Sequence, residues 1–289
     1  MLLGTVLLWS LNITVTKYMF EHGWKPLAYG TIRYFFAIAL FWAFTYYRER
    51  SFRIARSDLR LVLLAALMIF LNQLCFVYGI KLAHASTVAL LLGTTPIFVG
   101  LISLVLGLEH VAKAFWIGAA ITFGGVALIA IANGSVGSSL NGTLIAIATA
   151  ATWACYSVTI ARLMRRYSPF RISALVLAIG WVPLALVSIP QVSAQHFSFG
   201  WKVWLGFGYA IVGPLFLTNI LWFNAMDRVG ASRASLFANM QPFFAVFFAL
   251  ILLGESLRTL EIAGGVLIFA GIAWERFWRR PQPSAAPVE

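Results

Sequence analysis

The sequence predicts an all-α integral membrane protein of ten transmembrane helices, arranged as two five-helix inverted repeats around a central cavity. Three observations lead to this prediction. Hydrophobic residues make up 61% of the 289 positions and charged residues only 10%, which is more apolar surface than the core of a water-soluble protein buries. The apolar residues form runs of about 20, the length that crosses a bilayer as a helix. The two halves of the chain also repeat each other at a fixed spacing.

Polar and Gly/Pro-rich joints divide the chain into ten apolar segments. Their boundaries carry an error of about 2 to 4 residues. The segments run over residues 2–20, 27–47, 59–81, 86–106, 114–131, 143–163, 171–189, 203–225, 232–253 and 261–277.

The net charge of +12 reflects how the helices are oriented in the membrane. When the basic residues are sorted by alternate joints, 15 lie on the side of both termini and 6 on the other. Short cytoplasmic loops are rich in Lys and Arg, so both termini are expected in the cytoplasm. This distribution disfavours nucleic acid as a partner, although a strongly basic soluble chain would suggest one.

An internal repeat explains the segment count. A shift of 146 residues superimposes, without a gap, Ala85-Ser86 on Ala231-Ser232, Pro96 on Pro242, Glu109 on Glu255, Gly118 on Gly264 and Gly125 on Gly271. A shift of 144 superimposes Thr5, Trp9 and Asn12 on Thr149, Trp153 and Tyr156.

The repeat divides the chain into two halves. We expect a first five-helix repeat at 1–131, a flexible linker at 132–142, a second repeat at 143–280 and a Pro-rich tail at 281–289. Because five is odd, halves of one fold must cross the membrane in opposite senses, about an axis in the membrane plane. Such a repeat favours alternating access, although duplicated bundles also serve as scaffolds or channels.

The repeated segments resemble a known family. "AMDRVGASRASLFANMQPFFAVFFALILLGESLRTLEIAGGVLIFAGI", its counterpart "GIKLAHASTVALLLGTTPIFVGLISLVLGLE" and the opening "LLWSLNITVTK" with "KPLAYGTIRYFF" are similar to the paired EamA-type domains of the drug/metabolite transporter superfamily. The likeness covers essentially the whole chain. It implies ten helices and export or exchange of small metabolites, often amino acids, across a bacterial inner membrane. It does not identify the solute.

Uncharged polar and aromatic residues are the candidates for the solute site. Thr5, Trp9, Asn12 and Thr16 share one face of the first helix, and the sixth helix repeats this face. Asn and Gln are costly in hydrocarbon unless bonded, so those within segments should point inward. Contact with solute and packing between helices both explain these residues. The candidates are Trp9, Asn12, Asn72, Tyr78, Trp153, Tyr156, Asn219, Asn224 and Asn239.

Two prolines and two cations complete the candidate site. Pro96 and Pro242 lie inside apolar segments, where each should kink its helix and free a carbonyl. Arg33, about 10 Å into the second helix, and Lys17 are possible contacts for an anion, and snorkelling to the interface is the alternative for Arg33. Both positions look commonly basic in the resembling family. The second half lacks a match for Arg33, since Val176 stands at the equivalent position.

Other chemistry has little support in the sequence. The nine acids and four histidines fall at segment ends or joints, without the clustering of a metal site or an acid/base pair. Cys75 and Cys155 lie in apolar runs and are expected to be packing residues. We therefore expect no catalytic residue, no cofactor and no metal, with a membrane-embedded enzyme as the minor alternative.

The function expected from these observations is a secondary transporter in the bacterial inner membrane, a monomer or weak homo-oligomer. Its charge-poor aromatic cavity, formed by helices one, three, four, six, eight and nine, favours neutral or zwitterionic solutes, best an aromatic or other large neutral amino acid. A multidrug or nucleoside-type exporter is the runner-up.

Overall fold

The computed structural model describes residues 1–82, 91–107, 111–132, 140–241, 243–244, 247–248 and 258–278. In these ranges the chain is almost entirely helical and contains no strand. Its helices are α1 Leu2–Glu21, α2 Pro26–Glu49, α3 Leu59–Leu82, α4 Thr95–Val105, α5 Lys113–Ala132, α6 Leu140–Leu163, α7 Pro169–Ser193, α8 Trp201–Val229, α9 Ala231–Ala238 and α10 Thr259–Phe277.

Length and composition suit these helices to a bilayer. Five stretches in the described ranges are long and apolar enough to cross it, namely Pro26–Glu49, Arg56–Gly79, Leu144–Leu163, Pro169–Ser193 and Trp201–Val229. Thr95–Val105, Lys113–Ile129 and Ile262–Glu275 are shorter apolar helices. Large apolar side chains such as Leu186 and Leu205, 63% and 67% exposed, face outward along these helices, as a lipid environment requires.

Local sequence explains where several helices begin and end. Pro26 and Pro169 occupy the first turns of α2 and α7, where a missing N–H costs nothing. The Ser168 side chain caps α7 by accepting a hydrogen bond from the Arg171 N–H. Gly230, at a φ of 86°, lets the chain turn from α8 into α9.

Both prolines expected to kink helices fall near the middle of their segments, and the structure describes one of them. Pro96 lies in the first turn of α4 rather than in a helix interior, because a turn at Gly93 and Thr94 interrupts the segment. At this interruption the side chains of Thr94 and Thr95 donate to the carbonyls of Leu91 and Leu92. Pro242 lies outside the described residues.

The fifth and tenth helices pack against each other through glycines. A Cβ on Gly118 would lie 2.8 Å from the Gly271 carbonyl oxygen, and one on Gly125 would lie 2.5 Å from that of Gly264. The residue number rises along α5 from Gly118 to Gly125 while it falls along α10 from Gly271 to Gly264, so the two helices are antiparallel. Since the 146-residue shift makes Gly118 equivalent to Gly264 and Gly125 to Gly271, each contact is the symmetry mate of the other.

The second and seventh helices form another antiparallel pair. The Trp42 indole donates to the Ala174 carbonyl, and the Trp181 indole donates to that of Thr31. Beyond these, Glu49 binds Arg171 at one end, and the Leu27 N–H donates to Gln191 at the other. In each pair, a helix of the first half lies antiparallel to the equivalent helix of the second half. The two halves are therefore inverted relative to each other, about an axis perpendicular to the helices.

The joints between helices confirm this inversion. Residues 50–58 and 164–168 meet at one end, where the Ala55 N–H donates to the Tyr167 hydroxyl and Arg166 binds Asp58 at 3.1 Å. Residues 22–25 and 194–200 meet at the other end, where Gln195 accepts from the Lys25 N–H at 2.8 Å and donates to the Gly23 carbonyl. We call these the basic end and the amide end.

Candidate functional site

Five aromatic side chains from both halves meet inside the bundle. Trp9 of α1 lies edge-on to Trp153 of α6, with ring centroids 5.5 Å apart, and 4.9 Å from Trp222 of α8. Trp153 lies 5.4 Å from Tyr156, which in turn lies 5.9 Å from Phe223. We call these five residues the aromatic cluster. Trp222, Tyr156 and Phe223 are fully buried, whereas Trp9 and Trp153 are only half-buried.

The position of this cluster follows from symmetry. Trp9 and Trp153 are equivalent residues of the two halves under the 144-residue shift. Two equivalent residues touch each other only where the axis passes between them. The contact between the two indoles therefore lies on the axis that relates the two halves.

A local irregularity in α8 holds Trp9 in place. Val212–Leu217 forms a π-helical segment around Pro214, which supplies no backbone N–H. The Trp9 indole donates to the Thr218 hydroxyl at 3.0 Å and to the Pro214 carbonyl at 3.4 Å. The side chains of Thr218 and Asn219 donate to the carbonyls of Pro214 and Leu215, so the irregular turn keeps its polar groups bonded.

A polar corner adjoins the cluster between α1 and α2. Arg33, 4% exposed, donates through Nη1 to the Asn12 side-chain oxygen at 3.4 Å. Its guanidinium carbon lies 4.9 Å from the ring centroid of Tyr29 and 5.9 Å from that of Tyr34. Asn12 follows Trp9 by three residues on the same face of α1, which places the corner next to the aromatic cluster. We call these four residues the Arg33 corner.

Three buried donors around this site have no hydrogen-bond partner among the described residues. They are the Arg33 Nε, the Tyr156 hydroxyl and the Trp222 indole nitrogen. Buried polar groups in proteins are normally bonded, so orphaned ones call for an explanation. All three can donate a hydrogen bond.

The other predicted site residues lie elsewhere or bond to their own surroundings. Asn72 donates to the Thr149 carbonyl of α6, and Asn239 donates to the Thr122 hydroxyl of α5. Asn219 and Asn224 donate to carbonyls one turn back in α8. Tyr78 packs with Leu27, Val77 and Leu184, away from the cluster. The Lys17 side chain lies outside the described residues.

The described side chains form no group of three or more His, Cys, Asp or Glu that could hold a metal ion. The ion pairs found there are at helix ends: Arg166 with Asp58, Arg171 with Glu49, and Arg233 with Glu275. Cys75 and Cys155 are free and half-buried. Aromatic stacking, a buried cation and unpartnered donors are therefore the chemistry that the described interior offers.

Comparison with known proteins identifies the family. The profile of the EamA-like transporter family matches residues 1–131 and again 140–274. The chain belongs to the EamA-like transporter family. Two consecutive matches of five-helix length agree with a ten-helix membrane fold.

Relatives of this EamA-like chain are also described as transporters. It is 24% identical to the uncharacterized transporter YyaM of Bacillus subtilis over 94% of this chain and 91% of that one. It is 26% identical to a probable amino-acid metabolite efflux pump of Salmonella typhimurium over 92% and 90% of the two chains. A solved crystal structure with 19% identity superimposes with a TM-score of 0.81 over 96% of this chain and 95% of the other, which shows the shared fold.

Sequence reasoning missed Trp222, Phe223 and Pro214. Trp222 follows Thr218 by four residues, so the spacing placed it on the same face of α8 as a polar residue. That spacing alone does not show which helix lies opposite. Pro214 lies inside the eighth apolar segment, as Pro96 and Pro242 lie inside the fourth and ninth. Since a proline lacks a backbone N–H, its position also indicates an irregular helix at this point.

Proposed function

We propose that this protein is a secondary transporter that exports or exchanges aromatic or other large neutral amino acids by alternating access. The observation that carries the proposal is the contact between Trp9 and Trp153 on the symmetry axis. Inverted-repeat transporters bind solute near the bilayer midplane, where their repeats meet. Indole faces at that point favour a solute with a flat apolar ring.

The name of a relative and the composition of the site support this choice. The Salmonella typhimurium relative is called a probable amino-acid metabolite efflux pump. The site combines half-buried aromatic faces with the Arg33 corner, so it offers separate surfaces to a ring and to a polar end. Its described residues include no carboxylate, which a cationic drug would require as a counter-charge. Membership in a transporter family supports transport rather than catalysis as the activity of this protein.

We also propose an orientation in the inner membrane. The basic end carries Arg50, Arg53 and Arg56 on one joint and Arg165 and Arg166 on the other. Positive loops remain in the cytoplasm, so the basic end and both termini face the cytoplasm and the amide end faces the outside. The Arg33 corner then lies on the outer side of the midplane.

Uptake by liposomes that contain the purified protein tests the proposed solute. We expect labelled tryptophan to enter at least tenfold faster than into protein-free liposomes, threonine to enter more slowly, and a sugar phosphate or a lipophilic cation not to enter above that background. Preference for the sugar phosphate or the cation would overturn the proposal. Turnover of a solute in detergent without a membrane would favour an enzyme instead.

A further inference from the structure

Arg33 is a buried cation whose described partners are all neutral. Its guanidinium contacts the Asn12 amide and the rings of Tyr29 and Tyr34, and its Nε has no hydrogen-bond partner within the described part of the chain. No carboxylate among the described side chains forms an ion pair with it. An arginine stays protonated in proteins, and a charge inside a membrane segment is costly unless it is compensated.

We propose that Arg33 binds the carboxylate of the solute, which provides the missing counter-charge. This inference rests on the proposed function, since it specifies how the same site binds the carboxylate of an amino acid. A guanidinium presents parallel N–H groups that match the two oxygens of a carboxylate. The unpartnered Nε is one of these groups, and Asn12 holds the guanidinium from the Nη1 side.

The distances along the helices fit one amino acid. Asn12 lies three residues beyond Trp9, which corresponds to about 4.5 Å along α1 toward the amide end. The hydrogen bonds and the ion pair that connect α2 with α7 place the symmetry axis near Ala37 of α2. Arg33, four residues nearer the amide end, is then displaced by about 6 Å. The helix positions that carry Arg33 and the indoles are thus offset along the bundle by roughly the distance between the carboxylate and the ring of an aromatic amino acid.

Only one half of the repeat supplies this charge. The residue equivalent to Arg33 in α7 is Val176, which is fully buried, and the residue equivalent to Asn12 is Tyr156. The site therefore carries the Arg33 cation and the Asn12 amide on the amide-end side of the midplane, whereas Val176 and Tyr156 occupy the equivalent positions on the basic-end side. It fixes one orientation of the solute, with its carboxylate toward the amide end and its ring on Trp9 and Trp153. Arg33 is the cation that the described part of the site supplies, and one such charge neutralises a monocarboxylate but leaves a phosphate dianion with excess charge.

Binding to the purified protein tests this inference independently of transport. Thermal shifts in detergent compare tryptophan and indole-3-propionate, which carry a carboxylate, with tryptophanamide and tryptamine, which do not. We expect the two carboxylates to bind the wild-type protein at least tenfold more tightly. Arg33→Gln should lose this preference, and Arg33→Lys should retain part of it. The control Arg60→Gln, which removes an exposed cation at the start of α3, should behave as wild type.

Each outcome bears on one of the two proposals. If a correctly folded Arg33→Gln variant keeps the tenfold preference, or if the wild-type protein binds all four compounds equally, Arg33 is not the carboxylate receptor, even when tryptophan is transported. If the carboxylates bind through Arg33 but no amino acid crosses the liposome membrane, the binding site stands and the proposed transport fails. If Arg33→Gln unfolds, the Arg33→Lys variant tests the proposal instead. A reduced preference for carboxylates in Arg33→Lys supports the proposal. An unchanged preference shows that the arginine is purely structural and overturns it.

Discussion

Replacing Trp153 by alanine is expected to raise the KM for tryptophan transport by about 10- to 100-fold. The variant removes one of the two indoles that touch at the symmetry axis, 5.5 Å apart. Loss of an aromatic contact with its buried area costs about 1.5–3 kcal/mol, which corresponds to that change in affinity. Initial rates of uptake into liposomes at increasing tryptophan concentration measure the effect.

Two variants distinguish a solute contact from a general loss of aromatic surface. Trp153→Phe keeps a ring at the axis and should raise the KM by less than the alanine variant does. Trp201→Ala removes an indole that is 72% exposed at the start of α8, so its KM should match that of the wild-type protein. An unchanged KM in Trp153→Ala, with the protein folded, would show that the aromatic cluster is a packing feature and not a solute site.

Replacing Gly125 by alanine is expected to lower the thermal transition of the purified protein by roughly 2–10 °C, because overpacking a close contact costs about 1–3 kcal/mol. The added methyl group would lie 2.5 Å from the Gly264 carbonyl oxygen and 2.9 Å from the Ile268 backbone nitrogen. Backbone atoms cannot rotate away as a side chain does. The methyl group therefore forces α5 and α10 apart along their contact.

The neighbouring residue Gly124 offers a matched control. A Cβ at Gly124 meets no atom within 4 Å. Gly124→Ala should leave the transition unchanged or raise it slightly, because alanine favours a helix over glycine by about 1 kcal/mol. Equal transitions for the two alanine variants, measured by thermal denaturation in the same detergent, would contradict the close packing of α5 against α10.

The architecture was predictable because it depends on features that a single sequence displays. Apolar runs of bilayer length show where helices cross, and the 146-residue shift shows which helices are equivalent. The same shift matches Gly118 with Gly264 and Gly125 with Gly271, and the structure brings these four glycines together across the two halves. Their reciprocal pairing depends on the symmetry, which the odd number of helices in each half already required.

The contents of the site were less predictable. Burial of the amides was expected, and Asn72 and Asn219 are 4% and 9% exposed. Their partners depend on the opposing backbone: Asn72 reaches the Thr149 carbonyl, and Asn219 bonds within its own helix. Helical spacing identifies the face on which a side chain lies but not the residue that it meets. For the same reason the sequence did not reveal that Trp222 contacts Trp9.

Site-directed labelling from the two sides of the membrane tests the inverted repeat most directly. Single cysteines replace exposed residues at or next to four joints, Glu21, Arg53, Arg165 and Ser198, in a chain whose Cys75 and Cys155 are alanine. A membrane-impermeant maleimide is added to intact cells and, separately, to permeabilised cells. An inverted repeat with its basic end in the cytoplasm predicts that positions 21 and 198 react from outside, and that positions 53 and 165 react only after permeabilisation. Reaction of the equivalent positions 21 and 165 from the same side would show that both halves cross the membrane in the same sense, and would refute the inverted repeat.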